Sequence, residues 1–131
     1  MTRVRDAMLP DPKVLGGEAS AQEAGVLLAR PEVKAVLVCE HGRLLGIVTA
    51  RALVERVVAA GRDPRETALR EIVEAPLLTL DPEMDVDEAF RLLEERDAER
   101  VPVAEGGRLV GVLSRSVLMR RLAEDESPVS S

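Results

Sequence analysis

Residues 36–49, VLVCEHGRLLGIVT, decide the fold of this chain, because residues 101–114, VPVAEGGRLVGVLS, repeat their pattern 65 positions later. Each stretch begins with a short apolar strand, 36–40 or 101–105. A His-Gly or Gly-Gly pair follows, which is typical of the type I′ turn of a β-hairpin. The returning strand, 43–48 or 108–113, leads to Thr49 or Ser114, whose hydroxyls favour a helix N-cap. Each stretch is therefore predicted to form a hairpin followed by a helix.

The repeat extends over most of the chain. A shift of 65 sets residues 4–57 onto residues 69–122 without a gap, and 16 of these 54 pairs are identical. Before each hairpin, Ser20 with Glu23 and Asp85 with Glu88 have the spacing of a capping box, so a helix is predicted to begin at each. Apolar residues at helical spacing give each of these helices one buried stripe: Ala24, Leu27 and Leu28, and Ala89, Leu92 and Leu93.

The predicted fold class is α/β in the α+β sense, with two pseudo-symmetric β-α-β-β-α repeats packed sheet to sheet as one module. We expect repeat 1 over residues 1–61, a connector over 62–68, repeat 2 over 69–123 and a disordered polar tail over 124–131. The second helices are predicted to end near Gly61 and Ala123. A turn over 61–64 and a short helix over 67–73 are expected between the repeats.

Composition excludes several classes of function. The formal charge is −6, and the chain has no Trp or Tyr and one Phe, so we expect no nucleic-acid partner. No apolar run approaches the roughly 18 residues of a membrane helix, so we expect no membrane partner. The segment 1–6 lacks the pattern of a signal peptide, and the single cysteine forms no internal disulfide. We therefore expect a cytoplasmic protein.

The ordered set of motifs resembles a tandem pair of cystathionine-beta-synthase (CBS) domains. The residues that carry the resemblance are 46–49 (GIVT) and 111–114 (GVLS), together with 100–103 (RVPV) and 80–82 (LDP). The match runs from about Val4 to Ala123, and residues 59–64 resemble the connector of small stand-alone bacterial CBS-pair proteins. The resemblance implies a non-catalytic regulatory module with two clefts between its repeats, which in the family often hold AMP, ATP or S-adenosylmethionine.

The resemblance also implies which residues contact a ligand. The phosphate would lie at the Thr or Ser that begins the second helix of a repeat, where free amides and the helix dipole suit an anion. Arg51 and Arg115, in the first turns of those helices, would add charge. The expected site residues are Thr79, Arg100, Val101, Pro102, Ser114, Arg115 and Val117 in the second copy, and Val14, Val36, Thr49 and Arg51 in the first. We expect the second cleft to be the more competent, because Ala35 and Leu37 stand where it has Arg100 and Pro102.

One departure from the family supports an alternative. The family pattern Thr/Ser-x-x-Asp places an Asp on the ribose hydroxyls, but Ala52 and Val117 stand at those positions. Each lost charge-assisted hydrogen bond costs about 1.5–3 kcal/mol. The alternative is a structural or protein-interaction module whose clefts are vestigial and bind no nucleotide. Helix capping alone also accounts for Thr49 and Ser114.

Neither a metal site nor an enzyme is expected. Cys39 and His41 offer two ligands where zinc takes three or four, and a buried thiol beside a turn histidine explains both. The acidic run 81–88 lacks the glycine and the final glutamate of a calcium loop, with Val86 and Leu92 at those positions, so helix capping explains it better. No catalytic triad or glycine-rich phosphate loop is present.

Signalling by such a module requires a partner. The second helices carry apolar arcs wider than one buried face requires, so we expect a homodimer, and a protein effector is the other partner we expect. The arcs comprise Ala52, Leu53, Val54, Val57 and Val58, and Val117, Leu118, Met119 and Leu122.

Overall fold

The computed structural model describes residues 2–10, 12–76 and 78–126 of this chain. The fold is mixed α+β, as predicted. The first repeat contains α1 (Val4–Ala7), β1 (Leu9–Pro10), β2 (Val14–Gly16), α2 (Ala21–Leu28), β3 (Val36–Glu40), β4 (Arg43–Val48) and α3 (Ala50–Leu53), which continues as a π-helical turn (Val54–Val58). A 3₁₀ turn (Leu69–Glu71), α4 (Val86–Glu95), β5 (Arg100–Glu105), β6 (Arg108–Ser114) and α5 (Arg115–Glu126) follow.

The two hairpins confirm the sequence prediction. His41 and Gly42 have φ of +53° and +80°, and Gly106 and Gly107 have +60° and +85°. Both central residues of each turn are therefore left-handed, which defines a type I′ turn. The right-handed twist of the flanking strands requires this geometry, and glycine adopts it without steric cost.

The first helix of each repeat begins at its predicted cap. Ser20 Oγ accepts a hydrogen bond from Glu23 N–H (3.1 Å), and the Glu23 carboxylate accepts one from Ser20 N–H (3.3 Å), which completes the capping box. The second copy differs in detail. Asp85 Oδ1 accepts from Asp87 N–H (2.8 Å), two residues along, so this helix begins with an Asx turn.

The ends of the second helices differ slightly from the prediction. After the π-helical turn, Gly61 has φ of +71° and ends the helical segment, as expected of a C-terminal glycine. Helix α5 continues to Glu126 and so includes part of the tail expected to be disordered. The rest of that tail, residues 127–131, lies outside the described residues. Of the short helix expected over 67–73, the structure has the 3₁₀ turn Leu69–Glu71.

The chain divides into two compact units. Unit 1 contains the described residues within 1–12, 77–106 and 110–131, and unit 2 contains residues 13–76 and 107–109. Each unit therefore joins the helices and strands of one repeat to the leading segment of the other repeat. The first residues of each repeat therefore pack in the unit that holds the rest of the other repeat.

The same backbone contacts hold the exchanged segment in each unit. The shift of 65 residues that relates the two repeats also relates these contacts. In unit 1, Arg3 bridges to Asp85 and Leu9 pairs with Val112. In unit 2, Ala68 bridges to Ser20 and Glu74 bridges to Ile47. The pseudo-symmetry read from the sequence is therefore present in the hydrogen-bond pattern of each unit.

Each unit buries its own apolar cluster, and the exchanged segment contributes to it. Val4 and Ala7 lie in the core of unit 1, and the equivalent Leu69 and Ile72 lie in the core of unit 2. Burial of Val4, Leu69 or Ile72 contributes about 1.5–3 kcal/mol each, so the exchanged segments help to stabilise both cores.

Candidate functional site

In unit 1, backbone contacts gather the residues predicted from the second copy. Leu80 N–H donates to Pro102 O (3.1 Å), which places Thr79 beside the start of β5. Arg115 N–H donates to Glu99 O (2.7 Å), which places the first turn of α5 at the same end of that strand. The structure thus brings together Thr79, Arg100, Val101, Pro102, Ser114 and Arg115.

These residues differ in how accessible they are. Thr79 and Arg100 are exposed, and Arg100 has no ion pair among the residues that the structure describes. Val101 and Pro102 are buried, and Ser114 is 7% exposed. An exposed cation therefore lies beside an apolar strand and a nearly buried hydroxyl.

The start of α5 already has polar partners. Ser114 Oγ accepts from Val117 N–H (3.4 Å) and lies 3.2 Å from Ser116 Oγ, so Ser114 is the N-cap that the sequence predicts. Glu99 Oε1 accepts from Ser116 N–H (3.2 Å). A carboxylate of the chain itself therefore lies at the positive end of the helix, where an anionic ligand would otherwise bind.

Arg115 is also paired. Its Nη1 lies 3.3 Å from Asp97 Oδ1. Sequence reasoning missed both Glu99 and Asp97. The sequence did offer a signal for Glu99: the equivalent residue of the first copy is Lys34, so the two copies differ in charge at this position.

Unit 2 gathers the residues predicted from the first copy. Val14 pairs in parallel with Leu37, and Val36 pairs with Val48, which precedes Thr49. Val14, Val36 and Thr49 therefore lie at the same end of β3. Thr49 Oγ1 accepts from Ala52 N–H (3.1 Å), so its hydroxyl caps α3 as expected.

Arg51 does not join this group in the way the sequence suggests. Its Nε donates to Glu55 Oε1 (2.7 Å), one helical turn along, and its side chain is 86% exposed. This hydrogen bond raises the pKa of Arg51. The guanidinium is thus directed to a carboxylate of its own helix.

The two positions where the family has a ribose-binding Asp have different surroundings. Ala52 is buried in the core of unit 2. Val117 is half-buried in the first turn of α5. A carboxylate would therefore be better solvated at 117 than at 52.

Cys39 and His41 do not belong to a metal cluster in this structure. No group of three or more His, Cys, Asp or Glu suited to a metal ion lies among residues 2–10, 12–76 and 78–126. Cys39 is buried in β3, and this burial raises the pKa of its thiol. In the acidic run 81–88, Asp81 accepts from Glu83 N–H (2.8 Å) and Asp85 caps α4, so both carboxylates have structural roles.

An apolar groove of about 410 Å³ lies on the surface of unit 2, between α2 and the helical segment 50–58. Val58 and Val26 at this groove are 71% and 64% exposed. Of the apolar arcs of the second helices, Ala52, Val57 and Leu118 lie in the two cores, whereas Val54, Val58 and Met119 are exposed. The groove is lined by Ala21, Gln22, Gly25, Val26, Ala29, Leu53, Val57, Val58 and Pro64.

No helix in the part of the chain that the structure describes is long and apolar enough to cross a membrane.

Comparison with known proteins gives a consistent family assignment. The family model of the CBS domain matches residues 4–59 and 69–124. The CBS domain-containing protein YhcV of Bacillus subtilis is 29% identical over 131 residues, which is all of this chain and 93% of that protein.

Solved structures agree in fold. The crystal structure of Hypoxic Response Protein I, which holds two coordinated zinc ions, is 28% identical and has a TM-score of 0.77 over 92% of this chain and 99% of that one. The curated Hypoxic response protein 1 is from Mycobacterium tuberculosis. The structure of CBSX2 in complex with AMP is 22% identical, with a TM-score of 0.77 over 96% of this chain and 99% of that one.

Proposed function

Since the chain belongs to the CBS-domain family, we propose that it is a non-catalytic regulatory module that binds an adenosine-type nucleotide or a related small ligand. The observation that carries this proposal is the convergence, in unit 1, of Thr79 and Arg100 with the capped start of α5. Binding would be signalled through the shape of a homodimer or through a protein effector.

The side chains at this end of β5 suit the parts of such a ligand. The base would lie against the strand that holds the buried Val101 and Pro102, with the exposed Thr79 hydroxyl beside it. The exposed Arg100, with Ser114 and Arg115, would take the phosphate. Val117 lies in the first turn of α5, near the expected ribose. CBSX2, a structural neighbour solved with AMP, supports this class of ligand.

Unit 2 has a counterpart whose cations stand at different positions. Val14, Val36 and Thr49 lie together, but Arg51 is paired with Glu55. The exposed Lys34 is equivalent to Glu99 and places a positive charge in this region of the sequence. We propose that unit 1 binds the adenosine ligand more tightly, because it keeps Arg100 and a better solvated position for the ribose at 117.

A second candidate function rests on specific contacts. The Glu99 carboxylate already satisfies Ser116 N–H, and Asp97 already neutralises Arg115. In such a site, carboxylates of the chain itself would already occupy the hydrogen-bond donor and the cation that a ligand phosphate would need. The protein would then act as an interaction module whose clefts are vestigial.

One binding experiment separates the two candidates. Isothermal titration of the full chain with AMP, ATP and S-adenosylmethionine is expected to give saturable binding of at least one ligand, weakened in Arg115→Ala. Arg91→Ala, which removes an exposed arginine on α4, is the matched control and is expected to bind as the parent does. Lack of binding by all three ligands, with folded protein, would favour the interaction module.

The groove of unit 2 supports the proposed homodimer. It places exposed valines on a helical surface, and burial of this surface against a second copy would remove apolar area from water.

A further inference from the structure

Two arginines from the two hairpins lie directly opposite each other within unit 2. Arg43, the first residue of β4, and Arg108, the first residue of β6, are register partners. Leu44 N–H donates to Gly107 O (3.0 Å) and Leu109 N–H donates to Gly42 O (3.1 Å), so this pairing is fixed by the backbone on both sides.

Each guanidinium lies against the glycine turn of the opposite hairpin. A Cβ on Gly42 would be 2.6 Å from Arg108 Nη2, and a Cβ on Gly107 would meet Arg43 Nη2 in the same way. Both glycines have positive φ, so the backbone also disfavours a side chain there. The absence of these side chains leaves room for each guanidinium at the opposite turn. Like charges directly opposed across strands are destabilising unless they are neutralised.

The acids at the equivalent strand positions of the two hairpins, Glu40 and Glu105, are each paired with another arginine. Glu40 is the register partner of Arg43 and is placed to neutralise it. Its carboxylate instead forms an ion pair with Arg70, which also holds Glu18 at 3.2 Å. Among residues 2–10, 12–76 and 78–126, neither Arg43 nor Arg108 has an ion pair or a side-chain hydrogen bond. In a chain with 24 acids and 18 bases, two adjacent exposed arginines are thus left unneutralised.

We propose that Arg43 and Arg108 together bind a multivalent oxyanion of the phosphate class, supplied either as free phosphate or pyrophosphate or as the phosphate tail of a nucleotide. Two planar guanidinium groups offer forks that match phosphate oxygens in bidentate geometry. The bound anion would also remove the repulsion between the two cations.

This site is distinct from the proposed adenosine site. Thr49 follows Arg43 by six residues along one strand, and Ser114 follows Arg108 by six along another, which corresponds to about 20 Å in an extended strand. The proposal therefore does not rest on the proposed function.

The test is titration with inorganic pyrophosphate at constant ionic strength, combined with thermal unfolding. The variant carries Arg43→Gln and Arg108→Gln, and the matched control carries Arg30→Gln and Arg91→Gln, two exposed arginines without ion pairs in the described part of the chain. Pyrophosphate is expected to bind the parent and the control alike and to raise their melting temperature. In the variant, its affinity is expected to fall by about tenfold or more. The variant is also expected to melt higher than the parent without pyrophosphate, because the repulsion is gone.

Further arms identify the source of the anion and keep the two proposals separate. If the parent binds ATP more tightly than pyrophosphate, and the Arg43/Arg108 variant loses this preference, the natural anion is a nucleotide tail. If the parent binds pyrophosphate more tightly than ATP, the natural anion is a free oxyanion. Arg115→Ala is expected to bind AMP more weakly and to keep the affinity of the Arg43/Arg108 pair for pyrophosphate. Equal pyrophosphate affinity in the parent and the Arg43/Arg108 variant, or no binding to the parent, would overturn the proposal.

Discussion

Gly46 lies against the carbonyl oxygen of Glu74, so closely that a Cβ at position 46 would be 2.5 Å from that oxygen. The equivalent Gly111 lies against Leu9, and a Cβ there would be 2.9 Å from the Leu9 oxygen. In both units, the glycine that opens the Gly-aliphatic-aliphatic-Thr/Ser motif therefore makes room for the exchanged segment. This contact gives the family signature a physical reason.

Gly46→Ala is expected to destabilise the fold by about 1–3 kcal/mol, the usual cost of overpacking, because backbone atoms cannot rotate away as a side chain can. Chemical denaturation of parent and variant measures this change in the free energy of unfolding.

Gly25→Ala is the matched control for Gly46→Ala. A Cβ at Gly25 would meet only Leu53 Cδ1, at 3.7 Å, and Gly25 lies inside α2. We expect this variant to gain about 0.5–1 kcal/mol, since alanine favours a helix over glycine. Equal effects of the two substitutions would contradict the close approach described at Gly46.

Arg70→Gln is expected to lower the melting temperature slightly at low salt. Arg70 holds Glu18 and Glu40, and Arg5 holds the equivalent Glu83 and Glu105, so each arginine ties an exchanged segment to the hairpin of its unit. Carboxylate hydrogen bonds raise the pKa of both arginines. These groups are exposed, so the difference in melting temperature between the parent and Arg70→Gln is expected to vanish at about 1 M salt, where the screening length is about 3 Å. Arg30→Gln, measured in the same two buffers, controls for the change in net charge.

Val117→Asp is expected to tighten the binding of AMP by about tenfold, since it restores one charge-assisted pair of hydrogen bonds to the ribose. Position 117 is half-buried, so the new carboxylate keeps contact with water. Ala52→Asp is the contrasting variant, because it places a carboxylate in the core of unit 2 and is expected to destabilise the fold. Calorimetric titration with AMP, preceded by a melting curve for each variant, measures both effects. An unchanged AMP affinity in folded Val117→Asp would argue for vestigial clefts.

Glu99→Gln is expected to lower the melting temperature and to tighten phosphate binding at α5. The Glu99 carboxylate accepts from Ser116 N–H, so its neutral replacement loses charge at the positive end of the helix. A ligand phosphate would then face less competition and less repulsion. Titration with AMP and with adenosine distinguishes this effect, because only AMP carries the phosphate. An equal gain in affinity for AMP and for adenosine would contradict competition between the Glu99 carboxylate and the ligand phosphate.

Val58→Glu is expected to convert a homodimer into a monomer of 14.2 kDa without loss of helix content. Val58 borders the groove of unit 2 and is mostly exposed, so the change removes an apolar contact and buries no charge within one chain. Light scattering coupled to size-exclusion chromatography measures the mass, and circular dichroism measures the helix content. Lys13→Glu, an exposed change that also makes the net charge more negative, is expected to leave the dimer intact. A parent protein that is monomeric at micromolar concentration would remove the basis of this prediction.

Cys39 is expected to make the stability of the fold decline at alkaline pH. Burial raises the pKa of its thiol above the ordinary 9.0, so the folded state holds this proton more tightly than the unfolded state. The corresponding stability is fully present below the unfolded pKa and is lost as the pH rises through the folded pKa. Denaturation at several values between about pH 7 and pH 10 is expected to show this loss in the parent and not in Cys39→Ala. Parallel pH profiles would contradict it.

Much of the local structure could be predicted from the sequence. The glycine turns at 41–42 and 106–107, the caps at Ser20 and Thr49, and the strand limits of β3 and β4 all agree with the structure. These features depend on neighbouring residues, which the sequence displays directly. The pairings of Leu15 with Val38 and of Leu80 with Val103, which the structure shows, are related by the same shift of 65 residues.

The candidate site was predicted less completely. Ser114 and its neighbours were identified because a hydroxyl before a helix is a local signal. Glu99 was missed because its carboxylate reaches Ser116 N–H, 17 residues away, only after β5 and β6 have folded back on each other. The pairing of Arg51 with Glu55 could have been predicted from their spacing of four residues.

The two repeats, their order of helices and strands, and their family can be inferred from the sequence alone, since they depend on short-range patterns that occur twice. Three other features become visible in the folded chain: each leading segment packs in the unit of the other repeat, Glu40 neutralises Arg70, and Arg43 and Arg108 have no acid partner among the described residues. Such outcomes depend on which distant groups compete for the same partner. The outcome of that competition depends on distances between side chains in the folded chain, and these distances cannot be read from the order of residues.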